Sequence, residues 1–318
     1  MRVLSGIQPS GIAHLGNYFG YIKPNVELQK EGDVTLMIAD LHALTTVNDP
    51  AVLQKCRMDV ATDLLACGFQ GTLFFQSEVL AHTELSWVLS CVTPMGLLER
   101  AVSYKDKVQQ GLESNVGLFT YPVLQAADIL LYQADTVPVG KDQKQHIEMA
   151  RDIAQKFNAR YGADFFVLPE PKIREDVAVV PGVDGRKMSK SYGNTVPIFG
   201  DEKAIQKAIM GIKTDSKGVE EPKDPETCIP FQIHKLFLDA AGIKALADKY
   251  KAGGMGYGDA KKMLVAAYMD HFGAMRKKRA ELEADPKAVR AALDKGAEHA
   301  RAVANKTLDA AFRAVGLR

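Results

Sequence analysis

At 318 residues, 47% apolar and 25% charged, the chain can bury a sizeable core, and its length points to about two domains. No apolar run approaches the roughly 18 residues of a membrane span, and Arg2-Val3-Leu4-Ser5 opens the chain without a secretory hydrophobic region, so the expectation is a cytoplasmic protein with no membrane partner. The net charge of +1 conceals an asymmetry: Lys261 to Arg318 holds 13 basic against 7 acidic residues, which suits either a solvated helical surface or docking of a nucleic acid through one end.

Val3-Leu4-Ser5-Gly6 reads as a short buried strand and residues 16–30 as a helix. Val34 to Asp40 is a continuous apolar run ending in a polar residue, as an interior parallel strand looks. Asp49-Pro50 is an N-cap followed by a first-turn proline and opens a helix to about Cys67. Thr72 to Gln76 is the next strand, and a helix carrying the only tryptophan, Trp87, runs from Ser86 to about Thr93. This alternation predicts an α/β fold with a doubly wound parallel sheet, in which ligands bind beyond the carboxyl ends of the strands. Asp40, His42 and Gln76 fall at such ends.

Asp135 to Gly140 reads as a further strand, leading through Lys141-Asp142-Gln143 into a helix over Gln145 to Tyr161. A loop from Val177 to Gly193 closes this part. The remainder is mostly helical: Glu202 to Ile212, Pro230 to Ala241, Asp259 to about Glu283, and a last helix from Asp285-Pro286 to Val315. The change from α/β to all-α divides the chain into residues 1–197 and 198–318, with the final helix placed where it can pack back on the first part. Cys56, Cys67, Cys91 and Cys228 lack Cys-x-x-Cys pairing and zinc-finger spacing to His, so they read as reduced, mostly buried thiols, with no metal site expected.

Two segments carry chemistry. Ser5 to Tyr18 is a glycine-punctuated turn between a strand and a helix, and such turns bring free N–H groups and a positive dipole end close to a phosphate. Lys187-Met188-Ser189-Lys190-Ser191 places two ammonium groups three residues apart on a small-residue loop, able to follow charge on a transferring phosphate. A third segment concerns substrate. Tyr121, Gln125 and Asp128 stand at i, i+4 and i+7, so one helical face presents a phenol, an amide and a carboxylate. A carboxylate on that apolar segment needs a partner if buried, which makes Asp128 a candidate reader of a ligand N–H or O–H. Val137, Val139 and the turn Gly140-Lys141-Asp142-Gln143 complete a pocket with apolar walls and a polar rim.

The order of His14-Leu15-Gly16-Asn17 and Lys187-Met188-Ser189-Lys190-Ser191 resembles the two signature sequences of the class I aminoacyl-tRNA synthetases. Gly6-Ile7-Gln8-Pro9-Ser10-Gly11, Thr120 to Tyr132 and Val137 to Glu148 look like the bacterial tryptophanyl-tRNA synthetases, and the likeness continues through Thr214-Asp215-Ser216 and Gly256-Tyr257-Gly258. It implies a homodimer with a Rossmann-type catalytic domain over 1–197 and a helical anticodon-binding domain over 198–318. The implied reaction is ATP-dependent activation of L-tryptophan, then transfer to tRNA(Trp), with Mg²⁺ riding on the phosphates and DNA not expected as a partner. In the site so implied, Asp128 accepts the indole N–H, Tyr121 and Gln143 hold the ammonium, and Gln125 and His42 support them, with Leu4 and Gly6 beside the indole. His14, Asn17 and the N–H groups around Gly16 contact ATP, Gln8, Pro9 and Ser10 line the nucleotide, and Asp142 reaches the ribose, with Gly140 and Lys141 in the same turn. Lys187 and Lys190, with Met188, Ser189 and Ser191 in their loop, track the pyrophosphate, as does Lys107.

Tyrosyl-tRNA synthetase is the nearest competitor, because Tyr121-x-x-x-Gln125-x-x-Asp128 is also a tyrosyl pattern. Leu4, however, stands where bacterial tyrosyl enzymes place a Tyr that hydrogen-bonds the substrate hydroxyl. A phenol wants a donor and an acceptor, whereas an indole N–H needs an acceptor alone. A nucleotide-binding paralogue that has lost the chemistry is the reading from another class, against which the intact His14, Asn17, Lys187 and Lys190 speak.

Overall fold

The computed structural model describes residues 2–101, 111, 114–140, 143–162, 164–173 and 180–318. Five strands, β1 (Arg2–Ile7), β2 (Asp33–Ile38), β3 (Thr72–Phe75), β4 (Thr136–Val139) and β5 (Glu170–Ile173), form one sheet in the order β3-β2-β1-β4-β5 with every pairing parallel. The strand order reverses between β1 and β4, which opens a crevice at their carboxyl ends. The α/β expectation holds. The strand β5 has no counterpart in the sequence reading: its Glu-Pro-Lys-Ile stretch is short, polar and carries a proline, which an edge position tolerates.

Local chemistry sets the helices. After α1 (Leu15–Asn17), a π turn over Tyr18–Ile22 leads into α2 (Lys23–Leu28), so the helix expected over 16–30 contains a wider turn. Asp40 does not end the strand; it opens α3 (Asp40–Ala43). The helix α4 (Pro50–Ala66) starts as expected, the Asp49 carboxylate accepting the Ala51 and Val52 N–H groups at 2.8 and 3.2 Å. The next helix, α5 (Ala81–Ser90), begins five residues earlier than read, and α6 (Met95–Glu99) follows it. Asn115 caps α7 (Val116–Leu131), and α8 (Lys144–Tyr161) follows β4.

In the helical part, Asp201 caps α9 (Glu202–Met210). The single helix read over Pro230 to Ala241 is two, α10 (Ile229–His234) and α11 (Ala240–Ala252), parted where Leu238 is extended and Asp239 caps the second. The long helices α12 (Tyr257–Ala284) and α13 (Pro286–Ala314) return to the sheet. Helix α12 packs on α4, and α13 lies directly on β3 and against α5. Two large apolar clusters result, one on each face of the sheet, and α13 contributes to both. The basic cluster at 276–279 is partly turned inward: Arg279 is buried, and Arg276 donates to the Gly200 carbonyl at 3.1 Å. Cys67 and Cys228 are buried as expected, Cys56 is half-buried, and Cys91 is exposed. No helix among the described residues is long and apolar enough to cross a membrane.

Candidate active site

The chain leaves β1 through a turn that Gly11 makes possible: its φ of +82° suits glycine, and a side chain there would stand against the Cys56 thiol and the Lys190 ammonium. His14 then caps α1. Its Nδ1 accepts the Asn17 N–H at 3.3 Å, while Asn17 Oδ1 accepts the His14 N–H at 3.2 Å, a reciprocal capping box. Burial, then the nearby Lys190 charge, lowers the His14 pKa to about 4. The ring is therefore neutral near pH 7 with Nδ1 as acceptor, and the proton must sit on Nε2, available to donate to an anion. Gly16 completes the turn because a Cβ there would meet the imidazole at 2.9 Å.

The lysine loop is pinned to this turn. Met188 is buried beneath Gly16, its N–H donates to the Val180 carbonyl at 2.9 Å, and His14 bridges Pro197 on the strand-like return. Asn194 accepts the Ser189 N–H at 2.8 Å and donates to Asp184 and to the Lys187 carbonyl. Lys190 donates to the Ser10 carbonyl at 2.5 Å. Although its side chain is exposed, desolvation of the ammonium lowers its pKa, opposed chiefly by Asp63. Lys187, Ser191, Gln8 and Ser10 are exposed, Ser189 and Asn17 half-buried, and Pro9 buried. The two motifs, some 170 residues apart in sequence, thus meet at the end of β1 (about the length of a domain).

On the other side of the crevice Asp128, 2% exposed on α7, has its partners within the chain. Gln76 Nε2 donates to Oδ1 at 2.7 Å, His82 Nδ1 lies 2.7 Å from the same oxygen, and His42 Nε2 lies 2.8 Å from Oδ2. Burial alone would raise the pKa; the His42 and His82 hydrogen bonds overcome it and hold the carboxyl at about 2. Asp40 is occupied elsewhere, accepting from Ser77 and pairing with Arg57. Tyr121 is buried with its hydroxyl 2.8 Å from His146 Nε2, and the His42 ring meets it edge-on at 6.2 Å.

Leu4 and Val137 belong to the same buried cluster as the apolar face of α7. Gly6 and Gly140 are exposed at the ends of β1 and β4, and Gln125 and Gln143 are half-buried. Lys107, Lys141 and Asp142 lie outside the described residues, as does the side chain of Val139.

The sequence reading missed His82, Asp63, His146 and Asn194. A helix expected only from Ser86 leaves out His82; His82, Leu85 and Leu89 stand at i, i+3 and i+7 and are all buried, which is the signal that could have found it. Among the described residues no group of three His, Cys, Asp or Glu side chains could hold a metal ion.

The family model for tRNA synthetases class I (W and Y) matches residues 1–273. The chain is 50% identical over 319 residues to a tryptophan–tRNA ligase of Fusobacterium nucleatum, covering 99% of this chain and 98% of that protein. It is 51% identical over 321 residues to another from Rhodopirellula baltica, covering all of both. Among solved structures, a tryptophanyl-tRNA synthetase from Campylobacter jejuni complexed with ADP and tryptophan matches with a TM-score of 0.95 at 48% identity over the whole of both chains. Sequence, sheet order and the meeting of the two motifs agree, and the chain belongs to the class I tRNA synthetases of the tryptophan and tyrosine branch.

Proposed function

We propose that the chain is a tryptophan–tRNA ligase whose amino-acid reader is Asp128; the observation that carries this reading is a buried, ionised carboxylate whose donors are all supplied by the protein. With Gln76, His82 and His42 donating to it, the carboxylate has lone pairs left and no proton to give. Such a group suits an indole N–H and leaves a phenolic oxygen without a donor. Leu4 adds none.

Tyr121 and Gln143 would hold the substrate ammonium, with Gln125 beside them. The tryptophan carboxylate attacks the α-phosphate of the Mg²⁺ complex of ATP, the pyrophosphate leaves, and no protein nucleophile is required, so catalysis is positioning and charge stabilisation. His14 Nε2–H and Asn17 donate to the phosphates, and Lys187 and Lys190 stabilise the charge of the departing pyrophosphate. The adenylate then passes to a 3′-terminal ribose hydroxyl of tRNA(Trp), and a cytoplasmic location belongs to the same proposal.

The division into a catalytic part over 1–197 and an anticodon-reading helical part over 198–318 belongs to the same proposal. So does a homodimer: Leu80, Trp87 and Met95 are 71, 73 and 62% exposed, and Leu80, which precedes α5, stands seven residues before Trp87 and so on the same side of that helix.

Amino-acid-dependent ATP–pyrophosphate exchange with tryptophan and tyrosine side by side tests the reading. Exchange with tryptophan alone is expected. Exchange with tyrosine alone would mean that Gln125 is the better guide to the pocket, and silence with both would return the chain to a binding role.

A further inference from the structure

Asp128 has two oxygens and three protein donors, and the donors differ in what stands behind them. His42 stands on α3, just beyond the end of β2, with its ring edge-on to Tyr121. Gln76 follows β3, and its Oε1 accepts the Leu41 N–H at 3.2 Å, so its amide is oriented from the other side. His82 is fully buried, lies flat against Phe74 at 6.0 Å, and has Nε2 3.0 Å from the hydroxyl of Tyr132.

Facing an ionised carboxylate, His82 Nδ1 must carry a proton, since the carboxylate can only accept. In the neutral ring with that proton on Nδ1, Nε2 is the acceptor, and the Tyr132 phenol, kept protonated by burial and then by the Asp128 charge, donates to it. Tyr132 O–H, His82 and Asp128 therefore form a directed chain from the core to Oδ1. With Gln76 also donating there, Oδ1 is saturated, and the free acceptor capacity of the carboxylate is confined to Oδ2.

We propose that His82 is a positioning residue for amino-acid recognition: by saturating Oδ1 of Asp128 and fixing the carboxylate plane, it directs the remaining lone pair of Oδ2 to the substrate N–H. The inference rests on the reading of Asp128 as the indole acceptor. His82 acts only through Asp128. Its removal should therefore change the value of the substrate N–H without changing the handling of ATP.

Two substitutions separate the bonds. In His82→Asn the side-chain amide stands where Nδ1 stood and still donates to Asp128, whereas in His82→Gln it reaches the position of Nε2 and keeps the Tyr132 bond instead. Both fill the cavity with a polar, neutral group. The readout is the ratio of kcat/KM in pyrophosphate exchange for tryptophan and for its thia analogue, in which sulfur replaces the indole N–H. A hydrogen bond to a charged acceptor corresponds to a ratio of about 10–150 in the unsubstituted protein.

His82→Asn should keep that ratio, His82→Gln should lower it by about tenfold, and the KM for ATP should stay constant in both. A His82→Gln protein that keeps the full ratio while Asp128→Leu, which has no acceptor, loses it overturns the role of His82 and leaves Asp128 as the reader. Retention of the ratio by Asp128→Leu overturns the reading of Asp128, and the role of His82 falls with it. An equal loss of ratio in His82→Asn and His82→Gln also overturns the proposal, because the effect would then follow the loss of the ring and not of the Nδ1 bond.

Discussion

Asp63 on α4 and Arg279 on α12 are 216 positions apart in the chain, yet Arg279 Nε donates to Asp63 Oδ1 at 2.6 Å. The other carboxylate oxygen accepts the Ala13 N–H at 2.8 Å, one residue before His14. A helix from the C-terminal part thus holds, through one buried carboxylate, the backbone that presents the phosphate turn. Burial raises the Asp63 pKa, and the Arg279 hydrogen bond and charge oppose that rise.

Removing one partner of such a pair leaves a buried charge uncompensated, which costs about 3–5 kcal/mol. Arg279→Met should lower stability to urea by that order and raise the KM for ATP more than that for tryptophan. Without Arg279 the Asp63 carboxyl retains its proton to higher pH in the folded state than in the unfolded chain. The stability of the variant should therefore fall as pH rises through the folded-state pKa of Asp63. Urea midpoints measured across the acidic range test this, and a flat profile would sink it.

His14 gives a pH dependence of the opposite sense. Its folded pKa of about 4 lies below the ordinary value of 6.5, so between these values the unfolded chain binds the extra proton and stability rises with pH. The contribution is complete above pH 6.5 and lost as pH falls towards 4, by roughly 3 kcal/mol. His14→Asn keeps a capping acceptor and has no titrating ring, so it should flatten this part of the stability profile. His14→Thr should also keep the cap and a donor for phosphate, and its pyrophosphate exchange should remain within about tenfold of the unsubstituted protein, the worth of one hydrogen bond.

The sequence made the alternating strands legible because β2 and β3 are mainly apolar stretches and β1 carries the apolar pair Val3-Leu4, each with polar residues beyond its carboxyl end. It made His14, Lys187 and Lys190 legible because glycine spacing and paired ammonium groups are local features. The partners of Asp128 were not legible as a set. His42, Gln76 and His82 lie 86, 52 and 46 positions from it, and each by itself reads as a core or strand-end polar residue. The break at Leu238 was hidden because Pro230, Ile233, Phe237 and Ala241 keep apolar residues at helical spacing across it, and only the capping of α11 by Asp239 marks it. Arg279 stands in the run Arg276-Lys277-Lys278-Arg279, and nothing in four adjacent cations tells which of them faces a buried carboxylate.

Gly296 on α13 is the point of closest approach between the last helix and the sheet. A Cβ there would fall within the van der Waals sphere of the Leu73 carbonyl oxygen on β3, and that backbone cannot turn aside as a side chain could. Gly296→Ala should therefore lift α13 from β3 and strain the Arg290–Glu78 pair, whose two contacts of 2.7 Å tie the helix to the segment after β3. The expected loss is about 1–3 kcal/mol, visible as a lower thermal midpoint, whereas Gly258→Ala, which meets nothing within 4 Å, should leave the midpoint unchanged or higher. Equal midpoints for the two variants would show that the helix can yield.

Lys190 separates charge from structure. Among the described residues its side chain bonds to the Ser10 carbonyl, on an exposed loop, so Lys190→Met should leave the thermal midpoint almost unchanged while pyrophosphate exchange falls by about 100- to 1,000-fold, equivalent to about 2.7–4 kcal/mol of transition-state stabilisation. Desolvation lowers the Lys190 pKa, so the ammonium form is lost at a lower pH than in a solvated lysine. Exchange should fall on the alkaline side accordingly. Arginine stays charged throughout that range, so Lys190→Arg, whatever its rate at neutral pH, should move the alkaline limb to higher pH. An unmoved limb would assign it to another group and leave Lys190 with a role in positioning rather than in charge.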